Sequence, residues 1–555
     1  MPDAANRCAS TTASRPDVIV VGAGIAGVVA AIESAHTGAS TAIACAGPLF
    51  GGSSFYPGTW GLGLIGPASA ADEDDLIATI LDVGCGVADP DLVTAFVRNI
   101  RPSINWLEHD LGVELKRPTN EQSATEVAFI PCFDHKNRLW RGITRDAFTQ
   151  TARHEIERLG ITVLEHHELM AIERSNNGLQ GVTLFNRAAA SFVTIPTRAL
   201  VLAAGVTSGL FERRLTSQDV LGSVHGIAAE AGCELINLEF MQMMPGLVAP
   251  KRGLVCNEKT FRYASLADHN NILPNTAEVL NELLETRSGH GPFTARLGDE
   301  RVDLAIDAAG PDGLALTYHF PEHDIPEFVQ TFSTWLEQEH GITSQDELRV
   351  AMYAHASNGG IRISPQGETG VPGLFACGEV TGGMHGADRL GGLSSANGLV
   401  FGRRAGHHAA TYAQGRTGSA GQQIDPELAL EHVCAKASPI GAEEARTLTT
   451  QLRHLMSTYA MINRTEDGLL EATRQIDELK RRLDRPENAA NAALGNASVD
   501  YARGIRLRSQ LILARAMADA MRMRRESRGS HYRADYPPQA TPSAIPVKDD
   551  YAHHA

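Results

Sequence analysis

The chain has 555 residues, 43% hydrophobic and 21% charged, a composition that excludes wholesale disorder and supports three to four domain-sized units. Its net charge of −16 excludes a nucleic-acid binder that works by covering phosphates. No apolar run reaches the length of a bilayer-spanning helix, so no integral membrane segment is expected.

The eight cysteines form no CxxC pair, which suits a reduced compartment better than a disulfide framework or a zinc site. The first residues lack the basic cap and apolar core of a secretory signal, and together these features predict a cytoplasmic enzyme. Residues 1–15 are small and polar and are expected to be disordered. Order begins at Val18–Val21, an apolar β-branched run of buried-strand type. A glycine turn and an Ala- and Val-rich helix follow, then a second strand run over 41–46. After a Gly-rich stretch, helical patterns cover 74–81 and 91–111. A further parallel-type strand spans 198–205, and sheet character returns at 373–378 before a small-residue helix over 393–412.

Between these runs the texture changes, with more polar residues and several prolines from 246 to about 350. The pattern predicts an α/β fold: a Rossmann-like domain over 16–245 and 351–415, split by an inserted α+β capping domain over 246–350. Residues 426–536 carry amphipathic helices with almost no strand signal, and the Pro-rich end, 537–555, reads as a mobile tail.

Gly22-x-Gly24-x-x-Gly27 follows a strand and opens a helix. Two glycines let backbone approach a pyrophosphate, the third packs helix on strand, and the helix start through Ile25 and Ala26 offers unpaired N–H groups. This context predicts a dinucleotide site that includes Gly205 after the later strand. The end of the second strand offers no acid for a ribose, so that partner comes from elsewhere or is replaced by backbone contacts.

The segment from Gly373, GLFACGEVTGGMHGADRLGGLSSANGLVFGRRAG, resembles the FAD-binding family of succinate dehydrogenase and fumarate reductase flavoproteins and L-aspartate oxidases. The resemblance implies that Glu379 holds a flavin ribose and that Leu393, Ser394 and Ser395 face the flavin ring. It also implies that Arg389 binds a substrate carboxylate, a bidentate task that suits guanidinium. Asp388 stands where the family has Asn, and an Arg389–Asp388 loop salt bridge is the alternative. His385 precedes this pair in the same Gly-dense loop and belongs to the expected substrate pocket.

Further segments extend the match. Gly52-Ser53-Ser54-Phe55-Tyr56 is similar to the flavin-contacting turn of L-aspartate oxidases. Succinate dehydrogenases carry at the Ser53 position a His bonded to FAD, so Ser53 implies non-covalent FAD. His355-Ala356-Ser357-Asn358-Gly359-Gly360 is similar to an H-x-x-x-G-G element whose His contacts a carboxylate. Residues 81–111 and RESRGSHYRADYP, from Arg525, resemble the family's following helical segment and C-terminal ending. The C-terminal helices are a candidate surface for another subunit.

The match departs at Asn237–Gly246, which aligns with a family segment ending in F-H-P-T: Met244 stands for the His and Gly246 for the Thr. The T-E-x-x-R-G element survives only as Asn257–Arg262. For proton transfer the family uses a middle-domain Arg, and of Arg287, Arg296 and Arg301 the run Thr294-Ala295-Arg296 fits best. The reading is an FAD oxidoreductase acting on a small carboxylic acid, closest to L-aspartate oxidase. Oxygen, a quinone or a redox partner would accept the electrons. Two alternatives stand beside it: a soluble flavoprotein of the fumarate reductase or succinate dehydrogenase type that passes electrons to a partner, and a flavin-binding protein without this activity.

Overall fold

The computed structural model describes residues 15–118, 131–175, 178–267, 272–274, 276–320, 326–416, 424–488 and 497–537. The expectations for the disordered N-terminus and the tail thus fall almost entirely outside the described residues.

Apolar β-branched runs make the central sheet. Its five parallel strands lie in the order Leu374–Ala376, Ala199–Leu202, Val18–Val21, Thr41–Ala44, Thr162–Leu164. Strands buried on both faces cannot alternate polar with apolar, and all the residues of Val18–Val21 and Ala199–Leu202 are buried. Helix Ile25–His36 crosses against helix Leu393–Gln414, whose glycines recur every fourth residue. A Cβ at Gly402 would lie 2.7 Å from the Ala26 carbonyl oxygen and one at Gly406 2.3 Å from that of Ala30, so only bare backbone permits this approach. The two halves of the Rossmann-like domain are joined through this contact, although more than 350 positions separate them.

The inserted capping domain is built on a five-stranded antiparallel sheet, in the order Leu254–Val255, Met241–Ala249, Leu348–Ser357, Leu314–Tyr318, Ala264–Ala267. Strands Met241–Ala249 and Leu348–Ser357 run across the expected boundaries at 245/246 and 350/351, so this sheet reaches from 241 to 357. A second antiparallel sheet, His167–Ser175, Gly178–Asn186 and Ser191–Pro196, has no counterpart in the sequence reading.

The C-terminal part is helical, with Pro426–Ala435, Ala442–Tyr459, Glu466–Leu483 and Ala497–Met523. Glu466–Leu483 buries Leu469, Ala472, Thr473, Ile476, Leu479 and Leu483, one stripe at helical spacing. The segment after Met523 folds back onto the Rossmann-like domain. Arg524 Nε donates to Glu239 Oε1 at 2.6 Å, and Arg464 Nη1 donates to the Glu239 carbonyl at 2.9 Å, all buried.

Candidate active site

Space dictates the first turn. Gly22 holds φ at +119°, and a Cβ there would sit 2.1 Å from the Ala203 carbonyl oxygen; one at Gly27 would sit 2.0 Å from the carbonyl oxygen of Gly22. Helix Ile25–His36 therefore starts hard against two strands. It has no side-chain cap and no acid in its first turn, which leaves its N–H groups for an external anion. The loop bearing Gly52–Ser54 closes over this end. The Ser54 hydroxyl accepts the Ile25 N–H at 3.2 Å, the Gly52 N–H reaches Asp219 Oδ2 at 3.0 Å, and the Ser217 hydroxyl donates to the Gly52 carbonyl at 2.9 Å.

Gly22, Gly24, Ile25, Ala26, Gly52, Ser53, Ser54, Gly205 and Glu379 thus line one cleft, as the sequence predicts, while Gly27 supports it from beneath. Asp219 and His225 also line it, and the sequence reading missed both. Leu393, Ser394 and Ser395 begin their helix behind Gly392 and are not among the residues that line the cleft. No carboxylate replaces the missing ribose acid at the strand end: Glu165 Oε1 accepts the Leu49 N–H at 2.7 Å, and Glu168 is paired with Arg506 at 2.6 Å.

Several buried polar atoms in this cleft have no partner: Ser53 Oγ and both ring nitrogens of His225. Buried polar groups in folded proteins are satisfied, so the cleft fits a ligand that carries hydroxyl and amide groups. Burial brings His225 down to about 4, leaving it neutral. Burial pushes Glu379 up to about 7, against the pull of the Arg389 charge. A glycine cradle at a helix start, orphaned donors and a buried acid together fit FAD.

Beyond Glu379 lies a second polar group centred on Arg389. Its Nε donates to Gln242 Oε1 at 3.0 Å, and it makes no ion pair among the described residues. Asp388 is engaged elsewhere, accepting from the Thr294 hydroxyl at 2.7 Å, so the loop salt bridge does not form. His355 and His385 lie in the field of Arg389, each with an unpartnered buried Nδ1, as is Gln242 Nε2. Burial, then Arg389, lowers His355 to about 3 and His385 well below its usual range, so both are neutral. Glu258, which accepts from the Cys132 thiol at 3.1 Å, also acts on Arg389, and Lys259 is buried beside them. The structure thus brings Arg389, His355, His385 and Glu379 together and adds Gln242, Glu258 and Lys259.

Arg296 is not brought to this group. Its Nη2 pairs with Asp82 Oδ2 at 3.0 Å on the outside of helix Glu73–Val83, and its guanidinium lies over the Phe133 ring. The proton-handling role expected of Arg296 is therefore not supported by its position. Arg287 is fully buried and satisfied, by Asp303 at 2.9 Å and by the carbonyls of His290 and Gly291, and Arg301 is exposed. Local resemblance at Thr294-Ala295-Arg296 carries no information about Asp82, more than 200 positions away. Met244 and Gly246 stand on the strand that carries Gln242, Met244 inside an apolar cluster.

The FAD binding domain model matches residues 17–395, and the model of the fumarate reductase flavoprotein C-term matches residues 449–554. The chain is 26% identical to a fumarate reductase (CoM/CoB) flavoprotein chain of Methanothermobacter marburgensis, over 94% of each chain. It is 26% identical to an L-aspartate oxidase of Vibrio cholerae, over 95% of this chain and 97% of that one. Among solved structures it superposes on a chain of the Mycobacterium smegmatis Sdh1 complex with a TM-score of 0.74 at 24% identity, covering 94% of this chain and 89% of that one. It superposes on Escherichia coli quinol fumarate reductase with a TM-score of 0.73 at 22% identity, covering 94% and 92%. With the glycine cradle and the buried acid in place, these matches make the chain a member of the FAD-binding family that contains the fumarate reductase, succinate dehydrogenase and L-aspartate oxidase flavoproteins.

Proposed function

We propose that this FAD-dependent oxidoreductase moves a hydride between the flavin and a carboxylic acid held on Arg389, as in an L-aspartate oxidase with an altered pocket. The observation that carries the reading is the Arg389 guanidinium, partly buried, with one N–H on Gln242 and no carboxylate partner among the described residues. A buried cation in that state is matched by an incoming anion, and a planar guanidinium meets a carboxylate with two parallel hydrogen bonds.

Bound FAD supplies the two-electron chemistry; the chain supplies position and environment. Gly22, Gly24 and the start of helix Ile25–His36 would hold the pyrophosphate, and Glu379 and Ser53 would take flavin-side hydroxyl or amide groups. Ser53 offers no imidazole for a covalent bond, so acid precipitation of the protein should leave the yellow colour in the supernatant. Neutral His355 and His385 can hydrogen-bond the acid without adding charge, and their burial keeps water from the reacting carbon. Glu379 and Arg389 share one field, so a bound carboxylate changes the proton affinity of Glu379.

The test is a titration of the holoprotein with carboxylic acids, L-aspartate, succinate and crotonate among them, followed by the flavin absorption band. Saturable perturbation by at least one acid that is lost in Arg389→Gln supports the reading. Perturbation that persists unchanged in Arg389→Gln removes it. The second reading, a fumarate reductase-type flavoprotein passing electrons to a partner, is favoured by near-complete coverage of the Methanothermobacter chain. Copurification of an iron–sulfur protein from the native source would establish it.

A further inference from the structure

Beside Arg389 the capping sheet changes character along a single strand. Alternate residues of a strand face opposite ways. On Met241–Ala249, Met241, Met243 and Leu247 pack into the main core with Met352 and Ala354 of the neighbouring strand. Gln242, Met244 and Gly246 share the other face. Gln242 holds Arg389. Met244 lies opposite Tyr353 and Gly246 opposite Ala351, and these join Leu215 and Val255 in a separate apolar cluster rimmed by Tyr56 and Trp60. The face passes from cation to apolar wall over two residues, about 7 Å.

The wall has no hydrogen-bond donor to spare. The Tyr353 hydroxyl donates to the Leu247 carbonyl at 3.0 Å, and the Tyr56 hydroxyl donates to that of Gly253 at 2.6 Å. Nor can a side chain be added at position 246. A Cβ there would sit 3.0 Å from Tyr353 Cδ2 and 3.1 Å from Leu215 Cδ2, so the Tyr353 ring and the missing side chain are one packing solution. A carboxylate placed against Met244 and Tyr353 would be desolvated and unpaired, which costs far more than an apolar group there. Apolar surface against the same wall is stabilised.

We propose that the substrate is a monocarboxylic acid whose far end is uncharged and apolar, up to an aromatic ring, lying against Met244 and Tyr353 while Arg389 holds its only carboxylate. The proposal rests on the Arg389 reading and narrows it.

Three acids with one α,β-unsaturated carboxylate and different far ends separate the two claims: crotonate with a methyl group, trans-cinnamate with a phenyl ring, fumarate with a second carboxylate. Each is titrated into the holoprotein and followed by the flavin difference spectrum. Crotonate and cinnamate are expected to half-saturate at about a tenth of the fumarate concentration or less. Met244→His, which restores a donor to the wall, is expected to narrow that gap at least fivefold in favour of fumarate. Fumarate binding as tightly as crotonate and cinnamate, its second carboxylate finding Lys259, would overturn the inference and leave the Arg389 reading intact. An unchanged ratio in Met244→His would overturn the placement of the far end on this wall. Silence from all three acids, or binding indifferent to Arg389→Gln, would remove both.

Discussion

What surrounds the buried arginines of this chain separates scaffold from site. Arg287, Arg464 and Arg533 each place several N–H groups on carbonyls, a carboxylate or a ring nitrogen. Partly buried Arg389 has Gln242 instead. Arg389→Lys keeps the charge but loses the fork, so acid binding should weaken by about a hundredfold, roughly the loss of a bidentate charged pair; the flavin titration measures it. Arg296, on Asp82 at the surface, should behave otherwise: Arg296→Ala is expected to change acid affinity less than about threefold, since exposed pairs are worth little. Glu379 gives a pH signature. Its carboxyl is raised from 4.5 to about 7 by burial, with Arg389 opposing, so the folded state keeps a proton that the unfolded chain releases. The stability this contributes is full below pH 4.5 and lost as pH rises to about 7. Asp388 and Asp307, each raised to about 6 by burial, act in the same direction. The denaturant midpoint of flavin-free protein should fall between about pH 5 and about pH 7.5, and Glu379→Gln should make that fall shallower. Arg389 and Glu379 were legible in the sequence because a Gly-dense loop after a buried strand marks them. His225 and Asp219 were not, since nothing near either announces a cleft assembled from separate segments.

At the scale of elements, the Rossmann-like strands were legible because burial on both faces writes itself as unbroken apolar runs. The same rule explains what was missed. Met241–Ala249 is apolar almost throughout and adjoins a segment that resembles the Rossmann-like domain, so no change of composition marks where the capping sheet begins. The sheet from His167 to Pro196 mixes charged and apolar residues and contains bulges that break its alternation, leaving no clean period to detect. The glycine turn carries the sharpest element-level prediction. Gly22→Ala forces a side chain into φ +119° and against the Ala203 carbonyl, so strand, turn and helix cannot keep their places. The variant should purify with less than about a tenth of the wild-type flavin content, roughly a 1.4 kcal/mol loss or more, measured by the flavin-to-protein absorbance ratio. Normal flavin content would show that the turn does not receive the pyrophosphate.

The whole molecule is closed by its C-terminal end. Arg524 and Arg464 converge on Glu239, two residues before strand Met241–Ala249, so the helical domain is anchored beside the strand that carries Gln242 and Met244. Arg524→Leu leaves the Glu239 carboxylate buried without its cation and should cost about 3–5 kcal/mol, read as a lower denaturant midpoint. Among the described residues no helix is long and apolar enough to cross a membrane. The capping sheet, Rossmann-like halves and helical end thus meet around one cation. The most direct test of its role is to reduce the flavin without oxygen, add crotonate, and follow the oxidised flavin band in wild type and Arg389→Gln. The account predicts that the band returns in wild type and returns at least about a hundredfold more slowly in the variant; equal rates in the two proteins would contradict it.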